Sequence, residues 1–369
     1  MSYLATTKID YGLLKNKKKK LINSFDFSVA NESEKNIWQN KRELINDFKY
    51  CNKITHSLSY EISEYLYKYH EGKLSKEKFR ELIYFWLIYY VQVNYNKWKI
   101  IKKFNNKKFS FVVLNTPRIE LIDNLDFLQK NQSNHIHNYN YYKNIILYLK
   151  DQKKLKIHLN YSFKKKFLNK KKNKKNLIFF NIIILISKIE NFFFKKKYFF
   201  IDSLNKKFFF MINILKIQLP IKFIYLFNWK VLRDYAFFFK KKRKNTLVKI
   251  KKKKDEFYNY ITQNFYKNIP ICYLESFDFL SNLANHISIK PKKVLSGYAH
   301  FYNELFKLWS AKNNKKIQFY NIQHGGNYLK FYDVDDYERK FNKENVVWEK
   351  FHKGKNIRSL PIINYFFEK

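Results

Sequence analysis

Glycine, proline and cysteine are scarce in this sequence, which also contains no long uninterrupted apolar run. Its 369 residues include 6 glycines, 5 prolines and 2 cysteines. Two cysteines are too few for a disulfide scaffold or a cysteine metal cluster, and they fit a reducing compartment. The longest apolar run, residues 177–186, is interrupted by Asn181 and is shorter than the roughly 20 residues that span a bilayer. We therefore predict a buried strand or helix there, not a membrane span.

The N-terminus also lacks the features of a secretory signal. Residues 1–7 contain neither a basic segment nor a long apolar segment, and a signal peptide needs both. We therefore expect a cytoplasmic protein. Its basic composition would allow peripheral association with the anionic inner face of the membrane.

Acidic residues are few relative to basic ones. The chain has 74 Lys and Arg against 30 Asp and Glu, a formal net charge of +44, which attracts phosphates on nucleic acid, lipid or nucleotide-linked substrates. Lysine outnumbers arginine, although arginine is better suited to bidentate phosphate or base recognition. No zinc-finger, RNA-recognition or helix-turn-helix pattern is found. Because Lys, Asn, Phe, Ile and Tyr have codons rich in A and T, base composition accounts for much of the lysine excess, and nucleic acid is a disfavoured partner.

The pattern of apolar residues predicts an α/β fold with a large helical portion. The clearest helix covers residues 76–104, where apolar side chains occupy nearly the whole circumference, as is typical of a central, buried helix. Runs rich in β-branched and aromatic residues predict strands at residues 3–7, 109–114 and 198–201. Later in the chain, the pattern predicts helices at residues 257–266 and 273–283. Between residues 153 and 254, apolar pieces of strand length alternate with Lys-rich connectors.

Two polar stretches are candidate metal sites. His135 and His137 lie in an Asn-rich stretch, which we predict to be a loop with incidental histidines, because no third ligand is apparent. Residues 333–338 form the densest acidic group. Carboxylates there suit either a helix N-terminus or a Mg²⁺ or Ca²⁺ site, and the lack of an EF-hand loop favours the helix. We therefore predict no metal ion and no cofactor.

The best candidates for a catalytic or binding site are residues 323–328, Gln-His-Gly-Gly-Asn-Tyr. Before them, the pattern predicts a strand at residues 293–295, a helix at residues 301–313 and a second strand at residues 317–322. This βαβ unit would place a histidine at the carboxyl end of a strand, where open α/β sheets bind ligands. Gly325 and Gly326, the only adjacent glycines, let the backbone approach a ligand closely.

The sequence resembles a family of transferases from bacterial surface-polysaccharide gene clusters, which is distantly similar to the CDP-glycerol glycerophosphotransferases. The resemblance extends over residues 3–348, is weak between residues 115 and 254, and rests on stretches that occur in the family's order. These stretches are Tyr3-Leu4-Ala5-Thr6-Thr7, Trp86-Leu87 with Gln92, Tyr95 and Asn96, Ile269-Pro270 with Tyr273-Leu274-Glu275, Asn303-Glu304 with Phe306, Trp309 and Ala311, and Gln323-His324-Gly325-Gly326-Asn327-Tyr328. The chain departs from the family in three places. Asn96-Lys97 stands where the family usually has Asp-Arg, Leu329 where it has Gly, and Trp348-Glu349-Lys350 where it has Trp-Gly-Trp.

The resemblance implies the Rossmann-like N-terminal half of a GT-B-type transferase. It implies that His324 is the general base that takes a proton from an acceptor hydroxyl. Glu304 and Glu275 are the candidate orienting partners, and a solvated helix residue is the alternative for Glu304. Main-chain N–H groups of the two glycines would contact a phosphate or acceptor oxygen. The implied substrate-binding residues are Gln323, Gly325, Gly326, Asn327, Tyr328 and Glu275.

We therefore predict an acceptor-side domain at residues 1–345, with a helical insertion at about 30–105 and Lys-rich connectors at about 153–254. Residues 346–369 would begin a truncated second domain or form a tail, because family members continue well past this point. The expected partners are a nucleotide-activated donor, a glycan or lipid-linked acceptor and a separate C-terminal half.

The expected function is transfer of a sugar or polyol-phosphate group from the nucleotide-activated donor to a surface-polysaccharide acceptor. Two alternatives remain open at this point. One is a basic protein that binds nucleic acid or an anionic surface without catalysis, and the other is a non-functional truncated remnant.

Overall fold

A computed structural model of the chain describes residues 2–16, 20–23, 40–105, 107–162, 198–200, 232–233, 243, 253–287, 293–297, 299–313, 316–322, 344–347 and 357–359. The apolar pieces at residues 177–186, the acidic group at residues 333–338 and the histidine loop at residues 323–328 lie outside these ranges. The described parts form two parallel sheets and a large set of helices.

The first sheet has four parallel strands in the order β2-β1-β3-β4. Its strands are β1 (Tyr3–Ala5), β2 (Leu21–Asn23), β3 (Phe109–Leu114) and β4 (Ile157–Ser162). The strands predicted at residues 3–7 and 109–114 are confirmed, and β1 is shorter than predicted because helix α1 (Lys8–Asn16) begins soon after it. The chain runs from β1 to β2 on one side and continues at β3 on the other, so strand order reverses beside β1. Ligands of open α/β sheets bind at such a reversal.

Two long helices lie between β2 and β3 in the sequence and pack against each other. Helix α2 (Lys41–Tyr69) begins after Asn40, whose side chain accepts a hydrogen bond from the Glu43 N–H at 2.8 Å. Helix α3 (Lys76–Lys102) confirms the helix predicted at residues 76–104 and is buried on most sides, with Trp86 fully buried. Together α2 and α3 form much of the large helical portion that the pattern predicts.

The prediction of a loop around His135 and His137 is wrong, because both histidines lie in a helix. Helix α4 (Asn124–Ser133) ends at Asn134, and α5 (His135–Asp151) begins directly after it. The Asn134 side chain accepts a hydrogen bond from the His137 N–H at 2.9 Å, which satisfies one of the unpaired donors of the first turn. Over the following turns α5 buries one apolar face, so the cap and this face outweigh the polar composition of its start.

Two further helices lie between the strands Tyr198–Phe200 and Lys293–Ser296, which both belong to the second sheet. Helix α6 (Glu256–Asn268) confirms the helix predicted at residues 257–266, and α7 (Phe277–His286) follows a 3-10 turn at Ile271–Tyr273. The second helix begins later than its apolar pattern predicts. The backbone N–H groups of Ile271 and Cys272 donate to the carbonyls of Leu121 and Ile122 at 2.7 and 3.0 Å, and this docking onto the segment before α4 competes with an earlier helical turn.

The second sheet is also parallel, and its five strands lie side by side in chain order. They are β5 (Tyr198–Phe200), β6 (Lys293–Ser296), β7 (Gln318–Ile322), β8 (Glu344–Val347) and β9 (Ile357–Ser359). Helices α8 (Ala299–Tyr302) and α9 (Glu304–Asn313) connect β6 to β7. The predicted βαβ unit is therefore confirmed, with its helix interrupted at Asn303.

Both sheets share one buried hydrophobic cluster. Phe111 of β3 and Phe319 of β7 belong to it, as do the fully buried faces of α3 and α9. The described residues combine small parallel sheets with a large helical portion, as an α/β fold does, and the domain limits near residue 345 stay a prediction. Among the described helices, we find none with the length and hydropathy required to cross a bilayer.

Candidate functional site

The predicted histidine loop begins where β7 ends, at the carboxyl edge of the second sheet. Ile322 is the last residue of β7, and the six loop residues that follow lie outside the described residues. On the adjacent strand, Ser296 pairs in register with Asn321, and both side chains are completely buried. The Ser296 hydroxyl accepts a hydrogen bond from the Ala299 N–H at 3.2 Å, which caps α8. The carboxyl edge therefore contains buried polar groups directly before the loop.

Glu304 is buried in an ion pair at the start of α9 and is not a solvated helix residue. One carboxylate oxygen lies 2.6 Å from the Lys307 Nζ, and the two side chains are 1% and 2% exposed. Lys307 also donates to the Tyr273 hydroxyl at 2.9 Å. The other Glu304 oxygen accepts a hydrogen bond from the Asn124 N–H at 3.3 Å. These bonds connect α9 to the 3-10 turn and to the start of α4.

Glu275 is buried in a second ion pair, with Arg243. The guanidinium makes two hydrogen bonds to the carboxylate, of which the Nη2–Oε2 bond is 2.8 Å long. Arg243 also donates to the backbone carbonyls of Tyr266 and Ile269 at 2.6 and 2.9 Å. Glu275 thus holds a residue of the Lys-rich connector against the end of α6, and its charge is balanced by that arginine. Its predicted role in substrate binding stays a prediction.

The turn between β1 and α1 is organised by a buried carboxylate. Asp10 is completely buried and accepts four hydrogen bonds. The backbone N–H groups of Thr6 and Thr7 donate at 2.7 Å, and their hydroxyls donate at 2.9 Å. Burial raises the pKa of Asp10, and these four hydrogen bonds oppose that rise. The carboxylate fixes the backbone at the point where the chain leaves the carboxyl edge of the first sheet.

A polar pocket of about 270 Å³ opens beside this turn. We call it the β1 pocket, and its walls come from the start of α1, the middle of α3, the end of α4 and the start of α5. The lining residues are Thr6, Thr7, Lys8, Val93, Asn96, Lys97, Asn131, Gln132, His135 and Asn138. It therefore lies where strand order reverses in the first sheet, the expected place for a ligand.

The charge at the β1 pocket comes from lysine. Lys97 is 4% exposed, with its Nζ 5.2 Å from the centre of the Tyr142 ring, while Lys8 is exposed. His137 is buried in the first turn of α5, and desolvation, together with the charges of Lys130 and Lys97, lowers its pKa to about 3. The imidazole of His137 is therefore neutral near neutral pH.

The described residues contain no group of three or more His, Cys, Asp or Glu side chains that could bind a metal ion. His137 packs edge-on against Phe127 and Tyr141, with ring centres 6.1 and 4.8 Å apart. His135 lies on the pocket side of α5. Two positions that are two residues apart on a helix do not share a face, so this pair does not form a joint ligand set.

Sequence reasoning missed the β1 pocket, although one signal was available. Thr7-Lys8-Ile9-Asp10 follows the spacing of a capping box, with Asp in place of Glu. That pattern would have predicted a helix start directly after β1, and hence a strand-turn-helix unit with a ligand-binding edge. The pocket walls in α3, α4 and α5 have no comparable signature, because only the tertiary fold brings them together.

Comparison with known proteins identifies a family for the chain. A sequence model described as "LIC12162 family transferase" matches residues 11–367. The matched range includes β2 to β9, both predicted carboxylates and the histidine loop. No curated protein and no solved structure matches the chain. Because the match covers nearly the whole sequence, the protein belongs to the LIC12162 family of transferases.

Proposed function

We propose that the chain transfers a sugar or polyol-phosphate group from a nucleotide-activated donor to a hydroxyl group of a surface-polysaccharide acceptor. The observation that carries this proposal is the position at which β7 ends. Ile322 lies at the carboxyl edge of a parallel sheet, and Gln323-His324-Gly325-Gly326 follows it in the sequence. Open α/β sheets bind ligands at this edge. Membership of a transferase family supports a group-transfer reaction.

His324 is the proposed general base. A neutral imidazole, with an ordinary pKa of about 6.5, can accept the proton of the acceptor hydroxyl near neutral pH. The hydroxyl oxygen then forms a bond to the transferred carbon or phosphorus atom of the donor. The bond to the nucleotide phosphate breaks, and its electron pair leaves with the nucleotide. The main-chain N–H groups of Gly325 and Gly326 would stabilise a phosphate oxygen during this step.

The remaining loop residues have binding roles in this proposal. Gln323, Asn327 and Tyr328 carry donor and acceptor groups that suit the hydroxyls of a sugar or polyol. Glu304 begins α9, the helix that leads into β7, and acts as a positioning residue through that helix. The proposed architecture, the Rossmann-like N-terminal half of a GT-B-type transferase, is supported by the all-parallel strands of the described sheets.

An assay that measures release of the nucleotide from the donor tests the proposal. The full-length protein is incubated with a panel of nucleotide-activated sugars and polyols and with a polysaccharide acceptor. His324→Ala should lower kcat by about 10²- to 10⁴-fold, the usual contribution of a general base. His56→Ala serves as the matched control, because His56 is exposed on α2, and should retain full activity. Unchanged turnover by His324→Ala would contradict the proposed mechanism.

A further inference from the structure

The β1 pocket has two chemically distinct parts, amide oxygens and lysines. From them we infer that it binds a phosphate monoester of a sugar or polyol. The assignment of this pocket as a substrate subsite of the transfer reaction rests on the function proposed above. Its assignment as a binding site rests only on described residues and can be tested without turnover.

The amide side chains suit a ligand that carries hydroxyl groups. Asn138 donates through its Nδ2 to the Asn131 backbone carbonyl at 2.7 Å, which fixes the orientation of the amide and leaves its Oδ1 as an acceptor. The Oδ1 atoms of Asn96, Asn131 and Asn138 are all buried and accept no hydrogen bond from the described residues. Buried polar atoms are normally paired, and leaving one unpaired is costly. Asn96, Asn131 and Asn138 come from three helices that surround one cavity. Rotation of their amides toward the cavity would present acceptors to the several O–H donors of a sugar or polyol.

The charged groups at the pocket favour an anion. Lys8 and Lys97 line it, and none of the described lining residues is an Asp or a Glu. Helices α1 and α5 begin at the pocket, at Lys8 and His135, and their dipoles add positive potential there. Helix α4 ends beside the pocket and offsets part of this potential. The nearest carboxylate of this turn, Asp10, already accepts four hydrogen bonds from the two threonines. A phosphate group complements this arrangement better than a neutral sugar does.

The size of the pocket limits the ligand to a small one. Its volume of about 270 Å³ lies just below the range of about 300–1,000 Å³ that is usual for pockets of drug-sized ligands. A monosaccharide phosphate or glycerol phosphate is of a size that suits this volume. The phosphate monoester is therefore the ligand class that the lining and the volume select together.

Calorimetric titration of the full-length protein tests this inference. The probes are glucose 1-phosphate, glycerol 3-phosphate, inorganic phosphate, glucose and glycerol. One of the two esters should bind at least about tenfold more tightly than inorganic phosphate and than its own alcohol, because both parts of the pocket contribute. Its affinity should also weaken with added salt.

Variants separate the two parts of the pocket. Asn96→Ala and Asn138→Ala should each weaken ester binding by about tenfold while leaving inorganic phosphate binding unchanged. Lys8→Gln should weaken both and reduce the salt dependence. The controls are Asn46→Ala and Lys107→Gln, which change exposed residues outside the pocket and should bind like the wild type.

Three results would overturn the inference. They are equal affinity for inorganic phosphate and both esters, unchanged ester binding by both asparagine variants, and no saturable binding of any probe. His324→Ala should bind the ester like the wild type. Ester binding without any transfer activity would remove only the proposed function and leave the binding site in place.

Discussion

The Glu304 carboxylate lies 2.6 Å from the Lys307 Nζ, and neither side chain has appreciable contact with solvent. Both residues belong to the first turn of α9, and their remaining hydrogen bonds reach Asn124 and Tyr273. The pair therefore joins three segments that are distant in the sequence. Since α9 leads into β7 and the histidine loop follows β7, the ion pair sets the position from which the loop begins.

Glu304→Gln should lower the free energy of unfolding by about 3–5 kcal/mol, because it leaves the Lys307 ammonium buried without its counter-charge. Urea denaturation of both proteins measures the difference. Glu64→Gln is the matched control, since Glu64 pairs with Lys68 on the surface of α2 and should have little effect.

The double variant Glu304→Gln with Lys307→Met should recover part of this loss, because the unpaired charge is gone. A stable Glu304→Gln protein would contradict the structural role of the ion pair. If that stable variant were also inactive, the predicted orienting role of Glu304 beside His324 would be favoured instead.

His137 should make stability dependent on pH. Burial lowers its pKa from 6.5 to about 3, so at pH values between these two the unfolded chain binds a proton that the folded protein excludes. Stability is therefore fully present above about pH 6.5 and falls as the pH drops toward 3, by up to about 1.4 kcal/mol per pH unit. His137→Phe removes this contribution.

The measurement is the difference in unfolding free energy between His137→Phe and the wild type, at about pH 7 and about pH 5. It should shift in favour of the variant at the lower pH, because other titrating groups cancel in the difference. His56→Phe, on the exposed face of α2, should show no such shift. A difference that does not change with pH would contradict the neutral, buried state of His137.

Asp10→Asn should weaken the turn between β1 and α1. An amide has a single acceptor oxygen, so its NH₂ group would face the N–H of Thr6 or Thr7, at a cost of about 1–3 kcal/mol. Hydrogen exchange at the Thr6 and Thr7 amides should accelerate by the same free energy. Asp151→Asn, at the exposed end of α5, should leave both amides protected. Equal exchange rates in the wild type and Asp10→Asn would contradict the role of Asp10 in fixing this turn.

The fold elements that could be predicted are those whose signals are local. Helix α3 and the β6-α9-β7 unit have strong periodicity or β-branched content within one segment, and both are confirmed. The start of α5 was missed, because its helix depends on the Asn134 cap and on apolar residues several turns later. The periodicity of a polar stretch predicts neither the cap nor the contribution of these later apolar residues.

The candidate site was predictable only in part. The glycine pair and histidine after β7 are a local signal, and the end of β7 was located correctly. The burial of Glu304 could not be predicted, because its partners include Asn124, 180 positions away in the sequence. The β1 pocket likewise needs residues from four helices, and the spacing Thr7 to Asp10 was its only local sign.

The pH dependence of transfer by the wild type and by His324→Gln tests the central claim most directly. The account predicts a wild-type kcat that falls as the pH is lowered and the base becomes protonated. The His324→Gln rate should be at least about a hundredfold lower and should not depend on that ionisation. A variant with the wild-type rate and the wild-type pH profile would contradict His324 as the general base.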